Sequence, residues 1–398
     1  MTSTDTQAAD TQTAVRAAVE RILPEVVETR HHLHRNPELS GAEEGTAALV
    51  AGHLRALGLT DVRTNIAGHG VTAVLPGAGD GPLLALRADM DALPIQETSG
   101  LPYASCRDGV MHACGHDGHT ATLLGAASAL ASLREHLPGP VKFLFQPAEE
   151  TTGGAEKMVA EGVLEGVSAI FGLHGWPSLA VGQIGYRPGP MMASADRFDL
   201  TIKGVGGHAA YPHNTVDPIM VGAQVVQAWQ TLASREVSPL DSVVLTVTRF
   251  HAGSAYNVIP GIADLGGTTR CLSRAVRDAL PAQMERIASH VCAAFRADYE
   301  FAYDYGPPPV VNDAAMTARV QAAGAEVVGA GNVVYLEMPS MGAEDFAYYL
   351  GRVPGAFFRL GVGTGVSALH TPTYNFSDGA LPVGIALFCH LALSDRNG

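Results

Sequence analysis

The sequence predicts an α/β protein in which a larger domain, built on a helix-covered mixed sheet, carries an inserted ferredoxin-like βαββαβ unit. Three observations predict it. Short, nearly continuous apolar runs alternate with amphipathic stretches over residues 1–189. The order then changes to strand, helix, strand, strand, helix, strand over residues 190–306. The first pattern resumes over residues 307–398. Continuous apolar strands separated by helices belong to a sheet covered on both faces. The middle order is that of a unit complete in itself.

Each element has its own local reason. TAVRAAVERILPEVVETRHHLHR (13–35) and EEGTAALVAGHLRALG (43–58) carry apolar residues at helical spacing. GVTAVLP, PLLALRAD, VKFLFQ and SAIFGLHG are short β-rich runs. Between the second and third of them, HTATLLGAASALASLREHL (119–137) reads as a helix closed by Pro138 and Gly139. In the middle part, RFDLTIKG, SVVLTVTRF, ADLGGTTRCL and YEFAYDYG are strands, and DPIMVGAQVVQAWQTLASRE and RAVRDALPAQMERIASHVCAAFRA are long helices. PPPV marks the exit, followed by NVVYLEMPS, AFFRLGVG and the closing helix GALPVGIALFCHLAL.

Composition excludes several classes. A net charge of −14 repels nucleic acid. No apolar run approaches the ~20 residues of a membrane span. The opening MTSTDTQAADTQ lacks the basic start and apolar stretch of a secretory signal, and the five cysteines are scattered. A cytoplasmic protein with reduced thiols is expected.

The polar residues at strand ends form a pattern. Asp89 and Asp91 follow PLLALR. Cys114, His116 and Asp117 lie in the loop leading into the next helix, Glu149 and Glu150 follow VKFLFQ, His174 ends SAIFGL, and His370 lies beyond AFFRLGVG. Ligands of open α/β sheets bind beyond the carboxyl ends of strands, so these groups would converge on one edge. Thiolate, imidazole and carboxylate together suit Zn²⁺, Mn²⁺, Co²⁺ or Ni²⁺. They exceed what one catalytic zinc needs, whereas two cations ~3.5–4 Å apart with a shared ligand would use them all. Of two adjacent glutamates, one can bind metal while the other takes a proton from water.

Other readings stay open at this point. A cysteine opening a helix near histidines also suits a thiol hydrolase, with Cys114 as nucleophile. That reading leaves the glutamate pair, His174 and His370 without work. A non-catalytic amino-acid-binding protein would not need the full set. His31, His32, His34, His53, His136, His290 and His390 lack strand-end placement and read as structural, while His119 reads as a helix-start or supporting residue.

MHACGHDGHT, with RADMDALP before it and FQPAEE after it, resembles the metal-dependent amidohydrolases that include hippurate hydrolase, plant auxin-conjugate hydrolases and bacterial N-acyl-amino-acid aminoacylases. They belong to the wider aminoacylase and carboxypeptidase metallohydrolases. FGLHGWP, KGVGGHAAYPH, AYNVIP, GTTR, MGAEDFAYY and LHTP continue the resemblance through nearly the whole chain. It implies two divalent metal ions held by Cys114, His116, Glu150, His174 and His370, with the cysteine bridging. It implies Glu149 as general base and His208 as oxyanion stabiliser reaching over from a partner subunit. Asn257 and Arg270 would hold the substrate's carboxylate and carbonyl. The inserted unit would be both lid and homodimer interface, and the substrate a small N-acyl amino acid. A dipeptidase or carboxypeptidase of the same class is the alternative. Two departures stand out: Asp89-Met90-Asp91 replaces a His-x-Asp motif, which places Asp89 and Asp91, with Asp117, among supporting residues; and Ala343 stands where serine is common.

Overall fold

The computed structural model describes residues 3–151 and 153–394. Among them the chain forms two compact units: residues 1–189 with 311–338 and 345–398, and residues 190–310 with 339–344. The sequence boundary at 306 therefore falls four residues before the structural one at 310, and a short later segment rejoins the second unit.

The first unit is a mixed α/β structure around an eight-stranded sheet. Across the sheet, the strands run Thr60–Ile66, Gly70–Leu75, Val141–Gln146, Leu83–Asp89, Val167–Trp176, Gly355–Gly361, Ile184–Tyr186 and Val333–Tyr335. The four from Val141–Gln146 to Gly355–Gly361 are mutually parallel. VKFLFQ and GAFFRLG are buried along their whole length, which explains their unbroken apolar character. Burial on both faces shows in neighbouring residues: Leu173 packs toward Gly384 of the helix Leu381–Leu393, whereas Gly172 meets Phe346. Adjacent strand residues point to opposite faces, so both are covered.

Helix His116–Ser132 packs between Ser3–Arg35 and Leu381–Leu393 and is buried nearly all round. Its weak amphipathicity follows from that position. Several elements have no counterpart in the sequence reading, among them a strand and a long helix. Strand Thr60–Ile66 is a mostly exposed edge, so its residues are polar. Helix Ala314–Val328 is Ala-rich and is capped by Asp313, whose side chain accepts from Met316 N–H.

In the second unit, Asp196–Lys203, Val243–Ala252, Ile262–Cys271 and Asp298–Asp304 form a four-stranded sheet. Every neighbouring pair is antiparallel, with Asp196–Lys203 between the last two. Helices Pro218–Thr231 and Arg274–Ala294 pack on the sheet and on each other. Strict alternation of buried and exposed residues along DRFDLTIK leaves one sheet face to solvent. Trp229 fills the core, its indole N–H donating to Met284 O at 2.9 Å. No described helix is long and apolar enough to cross a membrane.

Candidate metal centre

The site begins where Leu83–Asp89 ends. Asp89 and Asp91 emerge buried, and the chain returns through a bridge between Leu93 and Met111 to deliver Cys114. Gly115 then adopts φ +90°, and a Cβ there would stand 2.9 Å from the Tyr374 hydroxyl. Gly118 is equally constrained, since a Cβ would lie 2.4 Å from the Phe376 ring. Only glycine fits both places. The sharp turn at Gly115 starts the helix at His116, so His116 and Asp117 lie on its first turn and not in a loop, as the sequence reading had them.

The strand-end residues converge. Cys114 Sγ lies 3.4 Å from His174 Nε2 and 3.3 Å from His370 Nε2. Glu150 Oε1 lies 3.5 Å from His370 Nε2 and 3.9 Å from His116 Nε2. Among the sets of donor atoms that fall within 4.8 Å of one another are Cys114, His116 and His174; Cys114, Glu150 and His370; and His116, Glu149 and Glu150. Cys114 is common to the first two. His370 reaches them from the far end of the chain, with φ +61° and its backbone N–H donating to Ala113 O at 2.8 Å.

Hydrogen bonds behind the ligands set their free atoms. His116 Nδ1 donates to Asp91 O at 2.9 Å, and His174 Nδ1 donates to Gly175 O at 2.8 Å. A carbonyl only accepts, so each ring in its neutral form presents an Nε2 lone pair to the cluster, the arrangement a metal ligand needs. His116 Nε2 and Glu150 Oε1 are buried without a hydrogen-bond partner. Two orphaned acceptors facing one thiol are what bound cations would satisfy. The electrostatics differ between the two rings in the absence of a cation. Burial, helped by His119, holds His174 neutral. For His116, burial favours the neutral ring but Asp89 and Cys114 outweigh it and push its pKa up. Burial and then Glu150 push the Cys114 thiol up, so it does not ionise without a cation.

Supporting residues tie the ligands down. Asp91 accepts from Ser40 Oγ at 2.6 Å and from Glu150 N–H at 2.9 Å. His119 uses both nitrogens, Nδ1 donating to Asp89 at 2.7 Å and Nε2 accepting from Gly175 N–H at 2.8 Å, and has none left for a metal. Burial opposes the charge on Asp89, yet His116, Arg87 and His119 hold it well below the usual carboxylate range.

Sequence reasoning missed the partners of Asp117. Arg30 Nε donates to Asp117 Oδ2 at 2.9 Å, His34 Nδ1 donates to the same oxygen at 2.9 Å, and Arg30 also meets Asp378 at 2.8 Å. Both side chains come from the helix Ser3–Arg35, and Arg30 and His34 sit one helical turn apart; that i, i+4 pair was the available signal. Burial lowers the His34 pKa, but Asp117 and Glu97 raise it further, to about 9. Arg30→Met leaves the Asp117 carboxylate buried with one cation fewer. It is expected to cost about 3–5 kcal/mol, read as a lower denaturant midpoint with unchanged slope.

The remaining predicted residues lie in the second unit. His208 is exposed, in a two-residue strand paired with Val258–Ile259, and its Nδ1 accepts from Ala210 N–H at 3.1 Å. That leaves Nε2–H as a donor. Asn257 stands beside it, its carbonyl accepting from Ala209 N–H at 3.0 Å. Arg270 is half-buried and donates to Thr269 O at 2.9 Å and to Thr268.

A thiol, imidazole and carboxylate cluster at the carboxyl ends of the parallel strands of a covered mixed sheet defines a metal-dependent hydrolase. The pattern of peptidase family M20/M25/M40 matches residues 85–394, and the chain belongs to that family. It is 42% identical over 368 residues to an N-acetylcysteine deacetylase of Bacillus subtilis, covering 92% of this chain and 96% of the relative. It is 47% identical over 303 residues to an N-acyl-L-amino acid amidohydrolase of Geobacillus stearothermophilus, covering 76% of this chain and 82% of the relative. Among solved structures it is similar to a dinuclear metal-binding M20 peptidase of Bacillus subtilis. That match has a TM-score of 0.83 and 38% identity, covering 94% of this chain and 98% of the other. The motif resemblance read from the sequence therefore stands.

Proposed function

We propose that the protein hydrolyses the amide bond of N-acyl amino acids at a pair of divalent cations, releasing a carboxylic acid and a free amino acid. The observation that carries this is the pair of donor triads sharing Cys114. One cation would be held by Cys114, His116 and His174, the other by Cys114, Glu150 and His370, with Zn²⁺, Mn²⁺, Co²⁺ and Ni²⁺ all suited to such donors. The names of the deacetylase and amidohydrolase relatives support the substrate class. Divalent cations there supply Lewis acidity that polarises an amide carbonyl and acidifies water. Glu149, the carboxylate left over from the two triads, takes the proton from the attacking water and hands it to the departing amine nitrogen. His208 donates Nε2–H to the developing oxyanion, supplied by a second copy of the chain. Arg270 and Asn257 hold the substrate's carboxylate and carbonyl.

On this reading residues 1–189, 311–338 and 345–398 form the catalytic domain. The strand order of the second unit supports a ferredoxin-like topology, and on this reading that unit is the lid and joins two copies. Arg270→Ala is expected to raise KM for an N-acyl amino acid about 10- to 100-fold, the worth of a charge-assisted hydrogen bond. Steady-state kinetics on the free acid and on its C-terminal amide check it. Equal wild-type turnover of the amide would remove the carboxylate role. Side-by-side assay of an N-acyl amino acid and a dipeptide separates this function from that of a dipeptidase.

A further inference from the structure

Arg359 is the buried cation that the proposed chemistry leaves unused. It lies on the strand Gly355–Gly361, in parallel register with His174, and laddered partners rise on the same sheet face. Trp176 lies two residues beyond His174, so it shares that face, and its ring stands 5.9 Å from the His174 ring. The Arg359 guanidinium sits over the Trp176 ring, with Cζ 3.3 Å from its centroid. His174, Trp176 and Arg359 thus form a row leading one aromatic ring outward from the proposed metal ligands.

What sets this arginine apart is its lack of an anion. Arg359 is 6% exposed and its Nη2 is buried without a hydrogen-bond partner. It has no ion pair among the described residues, although acidic residues outnumber basic ones 39 to 25. The other deeply buried arginines on this unit are all paired, Arg30 with Asp117 and Arg87 with Asp89. Burying a guanidinium without a counter-charge is costly, and a ligand carboxylate would supply the missing acceptor. The indole beneath it holds the planar fork in one orientation and leaves its edge for a carboxylate.

We propose that Arg359, seated on Trp176, is a specificity-determining subsite for a second carboxylate of the substrate. It rests on the reading of the site as an N-acyl-amino-acid hydrolase, in which Arg270 takes the first carboxylate. The second can be carried by the acyl group, as in an N-succinyl amino acid, or by the side chain of the amino acid, as in an N-acyl glutamate. Both present the same group to the guanidinium.

The test compares N-acetyl-alanine, N-succinyl-alanine and N-acetyl-glutamate on wild type, Arg359→Met and Arg359→Lys, each with its metal content and circular dichroism checked. Arg359→Met is expected to raise KM about tenfold for one of the two dianionic substrates, with kcat and the N-acetyl-alanine KM moved less than about twofold. Which of the two responds tells which end carries the carboxylate. Arg359→Lys, which keeps the charge, is expected to recover part of the loss. A change of equal size for all three substrates, or none for any, overturns the subsite. Succinate and acetate titrated against tryptophan fluorescence give a readout independent of turnover. Succinate is expected to perturb Trp176 emission in wild type and not in Arg359→Met, and indifference to succinate overturns the proposal. If no N-acyl amino acid is hydrolysed while the succinate response persists, the substrate reading fails and the anion subsite stands.

Discussion

Glu149→Gln is expected to lower kcat by about 10²- to 10⁴-fold, the range of a lost general base, while metal content and KM stay close to wild type. The reason lies in how the cluster divides. Cys114 with His116 and His174, and Cys114 with Glu150 and His370, each make a complete triad without Glu149. Glu149 nonetheless comes within 4.8 Å of His116 and Glu150, close enough to exchange protons with a water between them. Glutamine keeps its shape and removes its basicity. Metal analysis of the purified variant, alongside kcat, checks the expectation. The mirror experiment is Glu150→Gln, which removes one donor from a triad and is expected to lose metal together with activity. The opposite pattern, metal lost in Glu149→Gln and kept in Glu150→Gln, would exchange their roles.

The second large effect is removal of the metal itself. Dialysis against a chelator is expected to abolish hydrolysis of N-acetyl- and N-benzoyl-amino acids, and Zn²⁺, Mn²⁺, Co²⁺ or Ni²⁺ to restore it. Stability is expected to fall as well. His116 Nε2 and Glu150 Oε1 are buried and unpartnered without a cation, and a cation at 100 times its dissociation constant contributes about 2.7 kcal/mol to the folded state. A lower melting temperature after dialysis, recovered on resupply, is the check. Activity that survives chelation and is lost to a thiol reagent would transfer the chemistry to Cys114 as nucleophile. Burial pushes that thiol up, which is the wrong direction for such a role.

Most of the sheet was legible because burial leaves a plain mark on composition. VKFLFQ and GAFFRLG are apolar throughout, since both faces of the sheet are covered. The edge strand Thr60–Ile66 escaped for the converse reason, as an exposed edge needs no apolar pattern. Helix Ala314–Val328 follows directly on Asp313, whose side chain caps it by accepting from Met316 N–H, a local start signal that the apolar pattern alone does not show. The donor residues were legible for a topological reason: parallel strands release the chain at one edge, so polar residues following successive strands must come together there.

The sequence by itself determined the class of chemistry, through residue types and their placement after strands, and it determined the family through motifs in order along the chain. Only the tertiary structure decided which atom of each residue is available. The sequence sets His119 aside as a supporting residue but does not say why: Asp89 and the Gly175 amide occupy both its nitrogens, while Asp91 O leaves His116 Nε2 open. The same holds for Arg30, from the helix Ser3–Arg35, meeting Asp117, and for Arg359 resting on Trp176. Such hydrogen bonds and stacks join residues far apart in the chain, and no local pattern encodes them. Their directions are set by packing, and packing is a property of the folded chain alone.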